Sequence, residues 1–395
     1  MHKTTSIQLA TGILHLDVQP GRVPLQRLLG FAARVSSKRK FLLVSKILGK
    51  HYPVTPQLMR WSYRALARAV VKNQIDAGSL WIGMAETATG LGYGVYAAAV
   101  AEGLQQGLFM QTTRYHLADL DRLEFEEAHS HATDFFLYYP IQSDYRQQFL
   151  SATTLVLIDD EISTGKTFLR LIKAYQAINP HLQKVFIVSL VNFAAAADKE
   201  SLETQAGVAV QWLSFRQGVL HFDDAYIKAI DQISVNVSGN GACKKHLLAW
   251  PGRLGITTPI RLDQDAVAQV LKHFHSDDRR PVLVLGTGEC NSPAFLLACA
   301  LEAKGFNVKV QSTTRSPIYQ GNDIGAVSQF TDNYKDGIAN FIYNLHVDAY
   351  REIIICHETP LCAALNERLQ QWQAISARFE LMPDSTYAKL HFFRP

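Results

Sequence analysis

The sequence predicts an α/β protein made of a parallel-sheet unit followed by a second, smaller α/β unit. Three observations carry that expectation. Short apolar runs rich in β-branched residues, at 80–84, 155–158, 184–191, 282–285 and 353–356, alternate with stretches whose apolar residues fall at helical spacing. This is how strands buried on both faces read when helices cover a parallel sheet. The alternation occurs twice, on either side of the linker-like Ser238-Gly239-Asn240-Gly241, and 395 residues exceed what one core ordinarily supports. The expected division is 1–235 and 236–395.

Composition narrows the function classes. With 48% hydrophobic and 19% charged residues the chain is globular rather than disordered. Its longest uncharged stretch, Thr87 to Ala101, is too short for a membrane helix, which needs about 18 residues. A net charge of +4 is small for this length, so no nucleic-acid partner is expected. The five cysteines are odd in number and lack paired-ligand spacing, which argues against a disulfide framework and a zinc site. The opening residues lack the basic flank and apolar run of a signal peptide, and the expected compartment is the cytoplasm.

In chain order, Ser36-Ser37-Lys38-Arg39-Lys40 precedes a short strand, Phe41 to Val44, and the basic segment Lys46 to His51 follows it. These basic residues either meet an anion or a partner subunit's site, or form a solvated face. A helix from Met59 to Lys72, with Arg60, Arg64 and Arg68 on one side, leads into the strand Leu80 to Met84. The small residues of Ala85-Glu86-Thr87-Ala88 and of Gly90-Leu91-Gly92 then let backbone amides approach an anion closely. Residues 111–150 are polar with little sustained periodicity, and a long insertion of that kind is ordinarily a functional lid or disordered.

The segment with the most chemistry is 155–167. Leu155-Val156-Leu157-Ile158 reads as a buried strand, and Phe168, Leu169, Leu171, Ile172 and Tyr175 as the following helix. Between them, loop amides, the positive helix end and the hydroxyls of Ser163, Thr164 and Thr167 can receive a phosphate. Asp159 and Asp160 can accept hydrogen bonds from ribose hydroxyls or help retain Mg²⁺. Gly165-Lys166-Thr167 also ends like a P-loop, but that motif requires glycine where Asp160 stands.

This stretch resembles the phosphoribosyl pyrophosphate (PRPP) signature of type I phosphoribosyltransferases, met at Asp159, Asp160, Thr164, Gly165 and Thr167, with Ser163 for the usual Thr and Lys166 at the variable position. Glu161 departs from it, standing where an apolar residue is commoner. The resemblance implies a type I phosphoribosyltransferase-like sheet, PRPP and a nitrogenous base as substrates, and Mg²⁺ as cofactor. It implies pyrophosphate binding by the backbone of Ala85, Glu86, Thr87 and Ala88. It also implies a hood over 111–150 in which Arg114 neutralises pyrophosphate while Glu126, His129 and His131 orient it or exchange protons. His129 and His131 have no further ligands beside them, so zinc is not expected. Related enzymes often complete their sites as dimers, which makes a homodimer one option. Retention of the fold without chemistry, as a PRPP-binding sensor, is the alternative reading.

The second unit has a strand at 282–285, the tight loop Gly286-Thr287-Gly288-Glu289, a helix start at Asn291-Ser292-Pro293, and Thr314-Arg315-Ser316-Pro317 after the next strand. Gly286, Thr287 and Gly288 can hold a phosphate or carboxylate, with Thr314, Arg315 and Ser316 facing it from the neighbouring strand and Glu289 accepting a hydroxyl or amine. Over its length the chain resembles the TRSP-domain phosphoribosyltransferases of tellurium-resistance-associated bacterial gene clusters, often labelled orotate phosphoribosyltransferase-like. The carriers are Lys46 to His51, Ala85 to Ala88, Thr113-Arg114, His129 to Ala132, Asp159 to Thr167, Gly286 to Glu289 and Thr314 to Pro317.

Overall fold

The computed structural model describes residues 3–21, 23–34, 39–117, 120–126, 133–224, 248–275, 278–381 and 386–395. In the first half the strands are β1 (Lys3–Leu9), β2 (Gly12–Val18), β3 (Leu29–Ala33), β4 (Phe41–Ser45), β5 (Leu80–Gly83), β6 (Leu108–Gln111), β7 (Arg122–Glu126), β8 (Thr133–Tyr138), β9 (Thr154–Ile162), β10 (Lys184–Asn192) and β11 (Ala209–Asp223). A seven-stranded sheet runs β1-β2-β11-β10-β9-β5-β6. From β11 to β6 every pairing is parallel, and the antiparallel hairpin β1-β2 closes one edge. Leu155, Val156, Leu157 and Ile158 are fully buried at the centre of this sheet, as a continuous apolar run requires.

The second half contributes β12 (Arg261–Leu262), β13 (Val282–Gly286), β14 (Val308–Ser312), β15 (Val327–Thr331), β16 (Ala339–Tyr343), β17 (Glu352–His357), β18 (Ile375–Leu381) and β19 (Tyr387–Phe393). Its six-stranded sheet runs β12-β19-β18-β17-β13-β14, parallel from β18 to β14. The expected α/β class, a parallel sheet followed by a second α/β unit, is therefore what the chain forms.

Two features add to the expectation. Within 111–150, β7 and β8 form a hairpin and Ser143–Ser151 a helix. Leu123, Phe125, Phe135 and Leu137 fill the space beneath, which gives the hairpin its own apolar support. The two units also share one apolar core, which runs from Leu9 to Leu390 without a break at the junction. The helix Thr89–Ala101 packs on β5 and on the second unit's helix Asn291–Ala303, so its lack of charge reflects burial between the two sheets. The expected linker at 238–241 lies outside the described residues. Among those described, no helix is long and apolar enough to cross a membrane.

In both parallel sheets loops follow the carboxyl ends of the strands, where α/β proteins bind ligands. The loops after β5 and β6 meet the loops after β13 and β14, so these two edges face one another across a buried polar seam.

Candidate active site

β9 runs on through Asp159, Asp160 and Glu161 to Ile162, placing three carboxylates at the end of the middle one of the sheet's five parallel strands. The Asp160 N–H donates to Asp159 Oδ1 at 2.9 Å. Burial, then the adjoining Asp160 charge, pushes the Asp159 carboxyl well above the usual carboxylate range. Burial and the Glu161 charge push Asp160 up to about 7. Glu161, the departure from the motif, is held by the Arg39 guanidinium, which also lies 4.5 Å over the Phe41 ring.

Ser163 and Thr164 form the turn that follows, and the helix Lys166–Ile178 begins after Gly165. Gly165 sits at φ +78°, where a side chain would be strained, and as the N-cap it offers no side chain to the helix, while Thr164 Oγ1 accepts from the Lys166 N–H at 3.4 Å. Lys166 is exposed and Thr167 half-buried in the first turn, so the amides and hydroxyls there can take an anion.

The loop Ala85-Glu86-Thr87-Ala88 follows β5, beside β9. It contains a cis peptide between Ala85 and Glu86. Thr112 Oγ1 accepts from the Ala85 N–H at 2.8 Å, and the Ala88 N–H donates to Met84 O. The Glu86 side chain turns into the seam. Lys50 Nζ donates to its Oε1 at 2.9 Å, and Arg315 Nε from the second unit lies 3.4 Å from its Oε2. Lys50 and Glu86 are buried, and neighbouring His51, pushed down to about 3 by burial and then by Lys50 and Arg34, is neutral. Part of the basic segment Lys46 to His51 is thus internal, while Lys46 pairs with Asp323 at 3.0 Å.

Arg114 follows β6, at the foot of the β7-β8 hairpin. Its guanidinium lies 4.4 Å over the Phe135 ring, and its backbone N–H donates to Glu289 Oε1 at 2.8 Å. Of Glu126 only the backbone, at the end of β7, is described, and His129 and His131 lie outside the described residues.

The groups of the second unit's expected ligand site are in contact with one another and with the first unit. Glu289 accepts from Thr113 Oγ1 at 2.6 Å, from Arg114 N and from Arg253 Nε at 3.0 Å. The Gly288 N–H donates to Thr313 Oγ1 and the Thr287 N–H to Cys356 O. A Cβ on Gly288 would lie 2.8 Å from Tyr115 Oη and from Tyr334 Cε2, and one on Gly286 would lie 2.8 Å from Asn291 Oδ1. The lack of a side chain at these glycines therefore admits aromatic rings and a helix start. Thr314 holds Phe341 by two backbone hydrogen bonds, and Ser316 accepts from Arg34 Nη2 at 3.5 Å. Arg315 faces Glu86 and lies 4.7 Å over the Tyr115 ring, which itself stacks on Tyr334 at 4.2 Å. Burial disfavours its charge, but Tyr115 and Glu86 outweigh that and raise its proton affinity.

The pairing of Arg253 with Glu358 escaped the sequence reading. Arg253, in the turn Pro251–Arg253 that reads as a linker, is 1% exposed and grips Glu358 with two parallel hydrogen bonds of 2.9 and 2.7 Å. Tyr334 Oη adds a third bond to Glu358 at 2.8 Å. Lys50 and Arg39 sit in basic runs that were visible, but nothing local named Glu86 and Glu161 as their partners.

A strand ending in paired carboxylates, then a hydroxyl-bearing turn and a helix start at a glycine, with a second loop beside it, lie together at the carboxyl end of the first parallel sheet of this α/β protein. Residues 28–219 match a phosphoribosyl transferase family, PRTase_2, and residues 250–372 match the TRSP domain that lies C-terminal to it. The chain thus matches the architecture of a phosphoribosyl transferase family domain followed by a TRSP domain. No curated protein matches it. Similar solved structures include the adenine phosphoribosyltransferases of Trypanosoma brucei (15% identity, 48% of this chain and 76% of that one, TM-score 0.35) and Leishmania tarentolae (17%, 48% and 85%, TM-score 0.34). Another is that of Rhodothermus marinus (15%, 48% and 96%, TM-score 0.33).

Proposed function

We propose that the protein transfers a phosphoribosyl group between PRPP and a nitrogenous base, with pyrophosphate as the other product or substrate, and that it uses Mg²⁺. The observation that carries this reading is the juxtaposition of Asp159 and Asp160 at the end of β9 with the turn Ser163 to Gly165 and the helix start that follows. The family match supports it.

In this reading the Ser163, Thr164 and Thr167 hydroxyls, with the amides around Gly165 and Lys166, hold the 5-phosphate. Asp159 and Asp160 accept from the ribose hydroxyls and fix the sugar. The backbone of residues 85–88 receives pyrophosphate, and Arg114, at the base of the hood hairpin, faces the departing charge. Rate enhancement comes from placing these groups before reaction and from excluding water.

Asp159 and Asp160, adjacent and reluctant to ionise together, form a donor pair short of positive charge, which fits Mg²⁺. Among the described residues no set of three or more His, Cys, Asp or Glu is placed to hold a metal by itself. The ion in this reading is therefore shared with substrate oxygens, as Mg²⁺ commonly is. When bound it neutralises charge on the pyrophosphate.

The test is pyrophosphate release from PRPP with Mg²⁺ over orotate, uracil, adenine, guanine, hypoxanthine and less usual heterocycles. Base-dependent release is the expected result and names the acceptor class. Binding of PRPP without release over the whole panel would replace this reading with a non-catalytic sensor.

A further inference from the structure

We propose that the TRSP domain sets the pyrophosphate loop of the first domain, with Arg315 acting as a positioning residue through Glu86; this deepens, and rests on, the phosphoribosyl reading above. A carboxylate in a loop that receives an anion is a contradiction unless it is neutralised and turned aside. The seam does both. Glu86 is 7% exposed, with Lys50 on one carboxylate oxygen at 2.9 Å and Arg315 near the other at 3.4 Å. Two cations meet the Glu86 carboxylate, so its charge is neutralised and its side chain is held away from the loop's anion-facing backbone.

The positions of both cations rest on β14. Arg315 stands three residues past that strand's end, and its neighbour Thr314 is pinned to Phe341 by backbone bonds of 2.9 and 2.7 Å. Lys50 lies in a segment tied to β14 as well: a Cβ on Gly49 would sit 3.1 Å from Val310 O, and Val54 exchanges backbone hydrogen bonds of 2.9 and 2.7 Å with Val310. The loop itself has few bonds of its own, among them Ala85 N to Thr112 and Ala88 N to Met84. Arg315 Nη2 is buried without a hydrogen-bond partner, a donor the closed seam leaves unsatisfied and a ligand-bound loop can engage. The TRSP domain is thereby part of the first domain's site, and its sheet supplies the rigid support that a short loop lacks.

Magnesium pyrophosphate and ribose 5-phosphate are titrated separately into the full chain by calorimetry. Arg315→Gln is expected to weaken pyrophosphate about tenfold and to leave ribose 5-phosphate unchanged, with Arg315→Lys recovering part of the loss. Unchanged pyrophosphate affinity in folded Arg315→Gln overturns the inference. Equal weakening of both ligands overturns it too, because a merely structural role predicts that pattern. Should Arg315→Gln fail to fold, Arg315→Lys, which keeps the charge and loses the guanidinium fork, is read by the same two titrations, with a smaller loss confined to pyrophosphate expected and unchanged pyrophosphate affinity overturning the inference. Wild-type protein that takes up neither ligand overturns the phosphoribosyl reading and this inference with it. Wild-type protein that takes up both, with the variants unaffected, overturns this inference alone.

Discussion

Arg39 closes on Glu161, the third carboxylate at the end of β9, and leaves Asp159 and Asp160 as the adjacent pair beside it. Removing Arg39 removes a charge that favours ionised Asp160, so its already raised carboxyl rises further. If ionised aspartates receive the ribose and its metal, magnesium-dependent PRPP binding in wild type strengthens as pH rises through about 7. In Arg39→Gln that transition moves to higher pH. Titrations between pH 5.5 and 9 decide the matter, and coincident curves would show that Arg39 does not tune the pair.

The same carboxyl bears on stability. Its folded value lies above the ordinary carboxylate value, so ionising it opposes folding, and the penalty grows as pH rises from the unfolded value through about 7. Asp160→Asn should therefore stabilise the ligand-free protein at pH 8 by roughly 1–2 kcal/mol, allowing for solvent around a half-buried group, and have little effect near pH 4. Denaturant unfolding at the two pH values measures this, and a loss of stability at pH 8 would contradict it.

Replacing both aspartates, Asp159→Asn with Asp160→Asn, should preserve the fold and abolish pyrophosphate release. Circular dichroism and a coupled pyrophosphate assay are the paired measurements. Normal turnover by a folded double variant would sink the assignment of this strand end as the site.

Gly165→Ala combines backbone strain with crowding, because the new Cβ would lie 3.1 Å from Leu202 Cδ1 and 3.3 Å from Trp212 Cη2 at φ +78°. A loss of about 1–2 kcal/mol is expected, together with weaker ribose 5-phosphate binding. Thermal melts and calorimetry read the two effects separately, and unaltered binding would place the phosphate elsewhere.

Arg253→Met leaves Glu289 and Glu358 buried without their shared cation. The expected loss is about 3–5 kcal/mol, read from chemical denaturation of the full chain. A loss below about 1 kcal/mol would mean that water or rearrangement replaces the guanidinium.

What the sequence disclosed follows from how local each feature is. Asp159 to Thr167 could be read because strand, turn and helix start are contiguous and their chemistry depends on spacing alone. The helix at 59–72 and the strands at 80, 184, 282 and 353 carried their periodicity openly. The hairpin β1-β2 was legible but unread, since Leu14, Leu16 and Val18 alternate inward through β2. The hood strands likewise alternate at Leu123 and Phe125, yet the charged residues between them suggested a polar insertion. Pairings across the seam are different in kind. Nothing near Glu289 marks Thr113 or Arg253 as its partners, and Gly286 to Glu289 has the same composition whether it cradles an anion or admits Tyr115 and Tyr334. Only the docking of one sheet edge on the other separates those meanings.

The bond from Thr113 Oγ1 to Glu289 Oε2, with the Tyr115 and Tyr334 rings stacked beside it, has a consequence for inheritance. Each half presents a surface cut to the other, so a substitution on one edge is tolerated only with its counterpart across the joint. The halves are then expected to diverge as a matched set, and a chimaera joining the front of one homologue to the back of another would inherit mismatched teeth. Such hybrids should fail more often than either parent, even though each half keeps a complete sheet.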